Sequence, residues 1–284
     1  MPGKGIGISP YITTKKKGGG GVPTSTNATV QAWLNKIGTD GYAYPTQAQV
    51  DIYTTAWDYA DAQGLTAQLD FVWLPKVENL NITKIPFLHP VANTVFDIYN
   101  ETDLEINAAK GVRNSIADGS TYSGYYDLKL IPRTQLIKAS QNNISAGIYT
   151  KGKISDSPGL SNFADFGAIG GGTISAANTP SGCAVRVCTT NVSSAPNVLD
   201  KSFVSAARVL STEQKQYIDG SVVSTTVLSS STLPNISIYG LNINSTAFDP
   251  NASCLTDHWL SFVFIGSGAI NQAKMNTFVN LLLL

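Results

Sequence analysis

Three carboxylates alternate with other residues in the segment NETDLEIN, at Glu101, Asp103 and Glu105. Residues two apart on a β-strand point to the same face, so a strand over this segment would present all three together. The outer two would lie about 13 Å apart along the backbone, with side chains able to lean toward each other. Paired carboxylates are what glycoside hydrolysis requires. The alternative is a solvated acidic strand edge, which discourages pairing with other chains.

Three tyrosines stand close together in STYSGYYD, at Tyr122, Tyr125 and Tyr126. Aromatic rings on exposed loops can stack on the apolar faces of sugars, so these residues are candidates for glycan binding. The alternative, for at least one of the three, is packing in the core.

The sequence lacks the motifs of several other chemistries. There is no G-x-S-x-G, no H-E-x-x-H and no phosphate-binding loop, since the glycines at 170–172 are not followed by lysine. The two histidines and three cysteines are not at metal-ligand spacing; they are His89, His258, Cys183, Cys188 and Cys254. We therefore expect no metal and no cofactor. A Ca²⁺ site on loop residues such as Asp118 or Asp249 is the alternative.

The composition is typical of a β-rich protein with a large core. Of the 284 residues, 43% are hydrophobic and only 13% are charged, and the 19 basic residues balance the 19 acidic ones. This balance argues against bulk nucleic-acid binding. No run of 18 apolar residues is present, so no membrane span is expected.

The N-terminal segment is basic and rich in glycine. Lys4, Lys15, Lys16 and Lys17 have no acidic residue among them, and four glycines follow at 18–21. We interpret the segment as a flexible arm that docks on an acidic neighbour in an assembly; a solvated tail is the alternative. It has no continuous apolar stretch of the kind found in secretory signals.

Helical periodicity is confined to the two ends of the chain. Apolar residues at helical spacing predict a first helix from about Asn27 to Gly38. Thr46 and Gln49 form a capping box that predicts a second helix, ending at Gly64. A third, weaker helix is predicted over 65–73. The last helix, 271–283, would pack Ile270, Ala273, Phe278 and Val279 against a sheet.

Between these ends the pattern is that of an antiparallel sandwich. Asp219-Gly220 provides the positive φ angles of a two-residue type I′ turn and predicts a hairpin in QKQYIDGSVVSTT. The predicted strands are 94–99, 125–131, 144–151, 184–189, 202–210, 214–218, 221–226, 236–239 and 259–265.

Three segments resemble concanavalin A-like, laminin-G-type jelly rolls. SFVSAARVLSTEQKQYIDGSVVSTTVLSSSTLPNISIYGLN resembles the second half of such a domain, and GVRNSIADGSTYSGYYDLKLIP resembles an early stretch of it. HWLSFVFIGSGAINQAKMNTFVNLL resembles the strand and C-terminal helix that follow in domains from bacteriophages and from bacteria of the Bacteroidetes group. The resemblance extends over residues 27–284.

Together with the basic N-terminal segment, the resemblance divides the chain into a basic arm (1–26), a small helical subdomain (27–88) and a jelly roll with a C-terminal helix (89–284). It implies a bacteriophage virion protein: a tail fibre, receptor-recognition or capsid-decoration component. Such a protein would contact other virion proteins through its arm, form a homo-oligomer, and bind host surface glycan or decorate the particle. No specific nucleic acid and no membrane partner are expected. The alternative is a glycan-binding module of cellular origin.

The carboxylate spacing also resembles that of laminarinase-type glucanases, which share the concanavalin A-like sandwich. That resemblance implies Glu101 as nucleophile, Glu105 as acid and base, and Asp103 as the group that tunes Glu105. In those glucanases tryptophan and histidine residues near the carboxylates bind the sugar, whereas here the flanking residues are Asn100 and Asn107. We therefore expect a protein that is not an enzyme.

Overall fold

The computed structural model describes residues 21–114, 124–151, 166–170, 173–179, 182–189, 194–195, 201–245 and 259–284. Within them the chain forms two β-sheets packed face to face, with helices layered on one sheet. The prediction of a mainly β chain is confirmed. Several predicted residues lie outside the described residues: Lys4, Lys15, Lys16, Lys17, Asp118, Tyr122, Asp249, Cys254 and His258.

The elements are numbered along the chain. The helices are α1 (Ala28–Thr39), α2 (Gln47–Ala62), α3 (Leu80–Thr83), α4 (Pro132–Gln135) and α5 (Gln272–Leu282). The strands are β1 (Leu69–Trp73), β2 (Asp97–Tyr99), β3 (Leu104–Asn107), β4 (Gly111–Asn114), β5 (Tyr125–Asp127), β6 (Ile144–Lys151), β7 (Phe166–Ile169), β8 (Thr173–Thr179), β9 (Gly182–Val187), β10 (Ser194–Ala195), β11 (Lys201–Leu210), β12 (Glu213–Ile218), β13 (Ser221–Val227), β14 (Tyr239–Gly240), β15 (Ile243–Ser245) and β16 (Trp259–Gly266).

Two sheets contain these strands. Sheet A has the order β13-β12-β11-β6-β16-β4-β3, and β1 pairs with the second half of β16. Sheet B has the order β10-β9-β8-β7-β14-β5-β2, and β15 runs parallel to β7. The other described strand pairs are antiparallel, as in a sandwich whose two inner faces form one core.

The first two helices begin and end where their capping residues predict. The Asn27 side chain accepts hydrogen bonds from the backbone N–H groups of Thr29 and Val30 at the start of α1. Thr46 Oγ1 accepts from Gln49 N at 3.3 Å at the start of α2. Gly64, at φ +69°, follows the end of α2. Side-chain oxygens at these positions satisfy N–H groups that have no partner within the helix.

The predicted third helix over 65–73 is wrong. Its first part is a short 3-10 turn, Thr66–Gln68, and the rest is β1, which pairs with β16 from Leu69 to Trp73. All five residues of β1 are buried. A strand buried on both faces shows no polar–apolar alternation and cannot be told from a buried helix by periodicity. Residues assigned to a separate helical subdomain thus contribute a strand to sheet A.

Two hydrophobic cores lie on opposite faces of sheet A. The inner core lies between the sheets and contains Trp73, Tyr126 and Phe166. The outer core lies between sheet A and the helices, where Phe278 of α5 contacts Trp57 of α2 at 5.1 Å between ring centroids. Phe262 of β16 is 6.2 Å from Phe278. The helices therefore share their core with sheet A.

The predicted hairpin and C-terminal helix are both present. Asp219 and Gly220 have φ angles of 48° and 81°, and they join Ile218 directly to Ser221. In α5, Phe278 and Val279 are buried, but Ala273 is exposed, which corrects its predicted place on the packed face. The helix turns Gln272 and Met275 inward at that end instead. None of the described helices is long and apolar enough to span a bilayer.

Candidate functional site

The three carboxylates of NETDLEIN do not share a strand face, so that prediction is wrong. Glu101 and Asp103 lie in a 3-10 turn, and Asn100 before them has a left-handed φ of 49°. Only Glu105 lies on a strand, β3. A 3-10 turn advances three residues per turn, so the period of two that would align the carboxylates does not apply.

Glu105 is held in an ion pair. Its Oε2 accepts from Arg113 Nε at 2.7 Å and lies 2.6 Å from Arg113 Nη2. The Arg113 guanidinium in turn lies over the ring of Trp259, 4.5 Å from the ring centroid. Glu105 therefore belongs to a charged cluster on the β3–β4 edge of sheet A rather than to a carboxylate pair.

Tyr126 is buried in the inner core, which corrects its prediction as an exposed sugar-binding residue. Its hydroxyl lies 2.8 Å from Thr83 Oγ1, and its ring is 4.9 Å from the ring of Trp73. Burial raises the pKa of its hydroxyl. Successive strand residues point to opposite faces, so Tyr125 lies on the outer face of sheet B.

On that outer face, three tyrosines from adjacent strands form a stack that we call the tyrosine ladder: Tyr99 of β2, Tyr125 of β5 and Tyr239 of β14. Tyr99 is directly opposite Tyr125, and their rings are 4.8 Å apart with an interplanar angle of 11°. The rings of Tyr125 and Tyr239 are also 4.8 Å apart, at 30°. For Tyr99 and Tyr125 this distance equals the usual spacing between paired strands. Tyr239 is opposite Asp127 in the register, so its ring reaches Tyr125 diagonally.

Exposure differs along the tyrosine ladder. Tyr99 is 43% exposed, at the edge of sheet B, and Tyr239 is half-buried. Tyr125 lies between them and is only 5% exposed. A ligand can therefore reach Tyr99 and Tyr239 directly, while Tyr125 holds the two outer rings in position.

Charged and polar groups border the tyrosine ladder; we call Asp97, Asp127, Lys129 and Ser237 the polar rim. Lys129 Nζ lies 3.0 Å from Asp97 Oδ1. Asp127 Oδ1 accepts from Lys129 N at 2.8 Å and from the Ser237 hydroxyl. Asp127 stands opposite both Asp97 and Tyr239 in the strand register.

The polar rim also affects the electrostatics of the ladder. Burial, the nearby Asp127 carboxylate and Tyr99 raise the pKa of Tyr239 above its ordinary value. A protonated tyrosine hydroxyl can both donate and accept a hydrogen bond. The carboxylates and the ammonium group of the polar rim provide further hydrogen-bond acceptors and donors beside it.

Two residues of the tyrosine ladder, Tyr99 and Tyr239, were missed in the sequence. The sequence signal that could have found them is the alternation of side chains along a strand. Tyr99 is the last residue of the predicted strand 94–99, and Tyr239 is the last residue of the predicted strand 236–239. That signal gives a residue's face within its own strand. It does not reveal that β2, β5 and β14 are neighbours.

The described histidine and cysteine side chains have structural surroundings. The two ring nitrogens of His89 lie 3.1 Å from the Val91 carbonyl oxygen and 3.2 Å from the Leu128 carbonyl oxygen. Cys188 is buried with a free thiol, whose pKa burial raises to about 12. Within the described part of the chain, no group of three His, Cys, Asp or Glu residues is arranged to hold a metal ion.

No family model and no curated protein matches the sequence. Among solved structures, the receptor binding domain of botulinum neurotoxin D is 12% identical over 75% of this chain and 52% of its own, with a TM-score of 0.41. The Trypanosoma rangeli sialidase is 13% identical over 82% of this chain and 38% of its own, with a TM-score of 0.45. Domain 4 of AbnA, an extracellular arabinanase from Geobacillus stearothermophilus, is 13% identical over 74% of this chain and 98% of its own, with a TM-score of 0.37. The chain thus spans about half the length of the toxin domain.

Proposed function

We propose that this protein binds carbohydrate on the outer face of sheet B. The observation that supports the proposal is the tyrosine ladder with the polar rim beside it. Sugars present apolar C–H faces together with hydroxyl groups, and protein sites for such ligands combine aromatic rings with a few fixed polar groups.

Each part of the site has a role in this proposal. The accessible rings of Tyr99 and Tyr239 would contact the C–H faces of a sugar. Asp97, Asp127 and Lys129 would hydrogen-bond its hydroxyls, with carboxylates accepting and the ammonium donating. Asp97 and Lys129 already lie within ion-pair distance of each other, so one sugar hydroxyl could contact both groups.

The wider proposal is a concanavalin A-like, laminin-G-type jelly roll displayed on a bacteriophage particle, as a tail fibre, receptor-recognition or capsid-decoration component. Its support is the resemblance of the segments around YIDG and the C-terminal helix to phage domains, together with the low fraction of charged residues, 13%. A glycan-binding module of cellular origin is the alternative.

The test of the binding site begins with a printed glycan array, followed by titration of the best ligand. We expect Tyr239→Ala and Tyr99→Ala each to weaken binding about tenfold, or about 1.4 kcal/mol, because each removes a ring surface. The matched control is Tyr217→Ala, which removes a half-buried tyrosine from sheet A, on the other side of the sandwich.

Unchanged affinity in both ladder variants would reject the tyrosine ladder as the site. Absence of any glycan binding by the intact protein would reject the proposed activity. Thermal melting of each variant shows whether the sandwich is folded, so that loss of binding is not confused with loss of structure.

The virion role has its own test. Immunogold labelling of purified phage particles with antibody against the full chain should place label at discrete sites on the head or tail. Antigen found only in host extract, with unlabelled particles, would instead support the cellular module.

A further inference from the structure

Two carboxylates stand next to the stacked rings on the outer face of sheet B. Asp97 is directly opposite Asp127, and Tyr99 is directly opposite Tyr125, so the two pairs lie side by side on β2 and β5. Asp127 is also directly opposite Tyr239 of β14. Residues that are opposite each other, or two apart on one strand, share a face of the sheet. Both carboxylates therefore lie on the same surface as the tyrosine ladder.

The two carboxylates differ in their partners. Asp97 forms an ion pair with Lys129, at 3.0 Å between Oδ1 and Nζ. Asp127 accepts hydrogen bonds from Lys129 N and from the Ser237 hydroxyl, and both reach its Oδ1 atom. Among the residues that the structure describes, none donates to Asp127 Oδ2, and no basic side chain is within ion-pair distance of this carboxylate. Oδ2 is therefore an available acceptor beside Tyr239.

The surroundings of this oxygen favour a positively charged group. The polar rim has two carboxylates and one ammonium group, which leaves one negative charge without a compensating cation. Burial and then the Asp127 carboxylate raise the pKa of Tyr239, as expected for a negative charge near its hydroxyl. Aromatic rings attract cations. A hydrogen bond from an ammonium group to a carboxylate is roughly twice as strong as one between neutral groups.

We infer that the ligand of the tyrosine ladder is a sugar with a free amino group, whose ammonium donates to Asp127 Oδ2 while its ring lies against Tyr239. The inference rests on the proposed carbohydrate binding and names the class of sugar. Asp97 and Lys129, which pair with each other, are left for hydroxyl groups of the same ligand. Neutral sugars bind more weakly, because a hydroxyl donates a weaker hydrogen bond, and acidic sugars are repelled.

The test compares a chitosan tetramer with cellotetraose, which has the same linkage and a hydroxyl group in place of each ammonium group. Titration calorimetry at about pH 6, below the ordinary pKa of an amine, measures both dissociation constants. In about 0.01 M salt we expect the chitosan tetramer to bind about tenfold more tightly. About 1 M salt should reduce this ratio, because it screens charges more than about 3 Å apart. A galacturonic acid tetramer should bind more weakly than either.

Three variants test whether Asp127 causes the preference. Asp127→Asn keeps an Oδ1 acceptor but removes the charge, so the ratio should fall to about one or two. Lys129→Gln removes the ammonium group of the polar rim, which repels that of the ligand, and should raise the ratio. The matched control Glu78→Gln removes an exposed carboxylate near Tyr53, in the outer core, and should leave the ratio unchanged.

Equal affinities for the two tetramers, a preference for the acidic tetramer, or a preference that persists in Asp127→Asn would overturn the inference. So would a loss of preference in Glu78→Gln as large as that in Asp127→Asn. If neither tetramer binds but neutral glycans bind on the array, carbohydrate binding stands and the class of sugar is wrong. Absence of any glycan binding would reject both proposals. Melting temperatures close to that of the natural sequence establish that the variants fold.

Discussion

At the scale of single residues, the buried charged side chains of Asp70 and Arg208 form hydrogen bonds with backbone groups rather than ion pairs with opposite charges. The buried Asp70 carboxylate accepts hydrogen bonds from the backbone N–H groups of residues 137–139, at 2.8–3.1 Å. The buried Arg208 donates to the carbonyl oxygens of Val187, Leu210, Ser211 and Leu228. A buried charge is costly unless it is hydrogen-bonded, so these contacts fix the loops that supply them.

One glycine combines a backbone requirement with close packing. Gly220 has φ +81°, and a Cβ there would lie 2.8 Å from Ala273 Cα at the start of α5. Gly64 has φ +69°, with no atom within 4 Å of such a Cβ. We expect Gly64→Ala to cost about 1 kcal/mol, from left-handed strain alone. Gly220→Ala should cost at least about 1 kcal/mol more, because the added methyl also overpacks the contact.

Urea unfolding of the two variants measures this difference. Gly64→Ala is the matched control, since it has the same backbone strain without the contact. Equal losses of unfolding free energy would show that the hairpin moves away from α5 at no cost. That result would contradict a fixed contact between the hairpin and the helix. The same contact includes a hydrogen bond that Asn276 Nδ2 of α5 donates to the backbone oxygen of Asp219 at 3.0 Å.

At the scale of elements, local signals were sufficient where one short segment carries the whole interaction. The caps at Asn27 and Thr46 and the turn at Asp219-Gly220 each act within four residues, and these elements lie where the sequence predicts. The eight residues of β6 match the predicted strand 144–151. A cap or a two-residue turn depends little on the rest of the chain.

Elements determined by distant contacts were not predictable. The segment LDFVW becomes β1 because β16, almost 200 residues later, pairs with it. Tyr125 and Tyr126 are adjacent in sequence, yet one stacks in the ladder and the other lies in the inner core. The assembly of Tyr99 with Tyr239 depends on the order of strands in sheet B, which the pattern of one strand does not contain.

At the scale of the whole molecule, sheet A lies between two cores. Its inner face packs on sheet B and its outer face on α1, α2 and α5. Leu260, Val263 and Ile265 of β16 lie in the inner core, while Phe262 and Phe264 lie in the outer one. The helices cannot lose their packing without exposing one face of sheet A. The segment predicted as a helical subdomain, 27–88, should therefore not unfold separately from the sheets.

This sharing predicts that the helices and sheets unfold in one transition. Phe278→Ala removes a buried ring that contacts both Trp57 and Phe262, and we expect it to cost about 3–5 kcal/mol. Far-ultraviolet circular dichroism follows the helices and the infrared amide band follows the sheets. Both midpoints should fall by the same amount, because one core holds both layers.

In the control variant Ile137→Ala, which truncates an exposed side chain, neither midpoint should change. If only the helical signal were lost, with the sheet midpoint unchanged, α1, α2 and α5 would unfold independently of sheet A. The aromatic contacts of Phe278 with Trp57 and Phe262 would then contribute little to the stability of the sandwich.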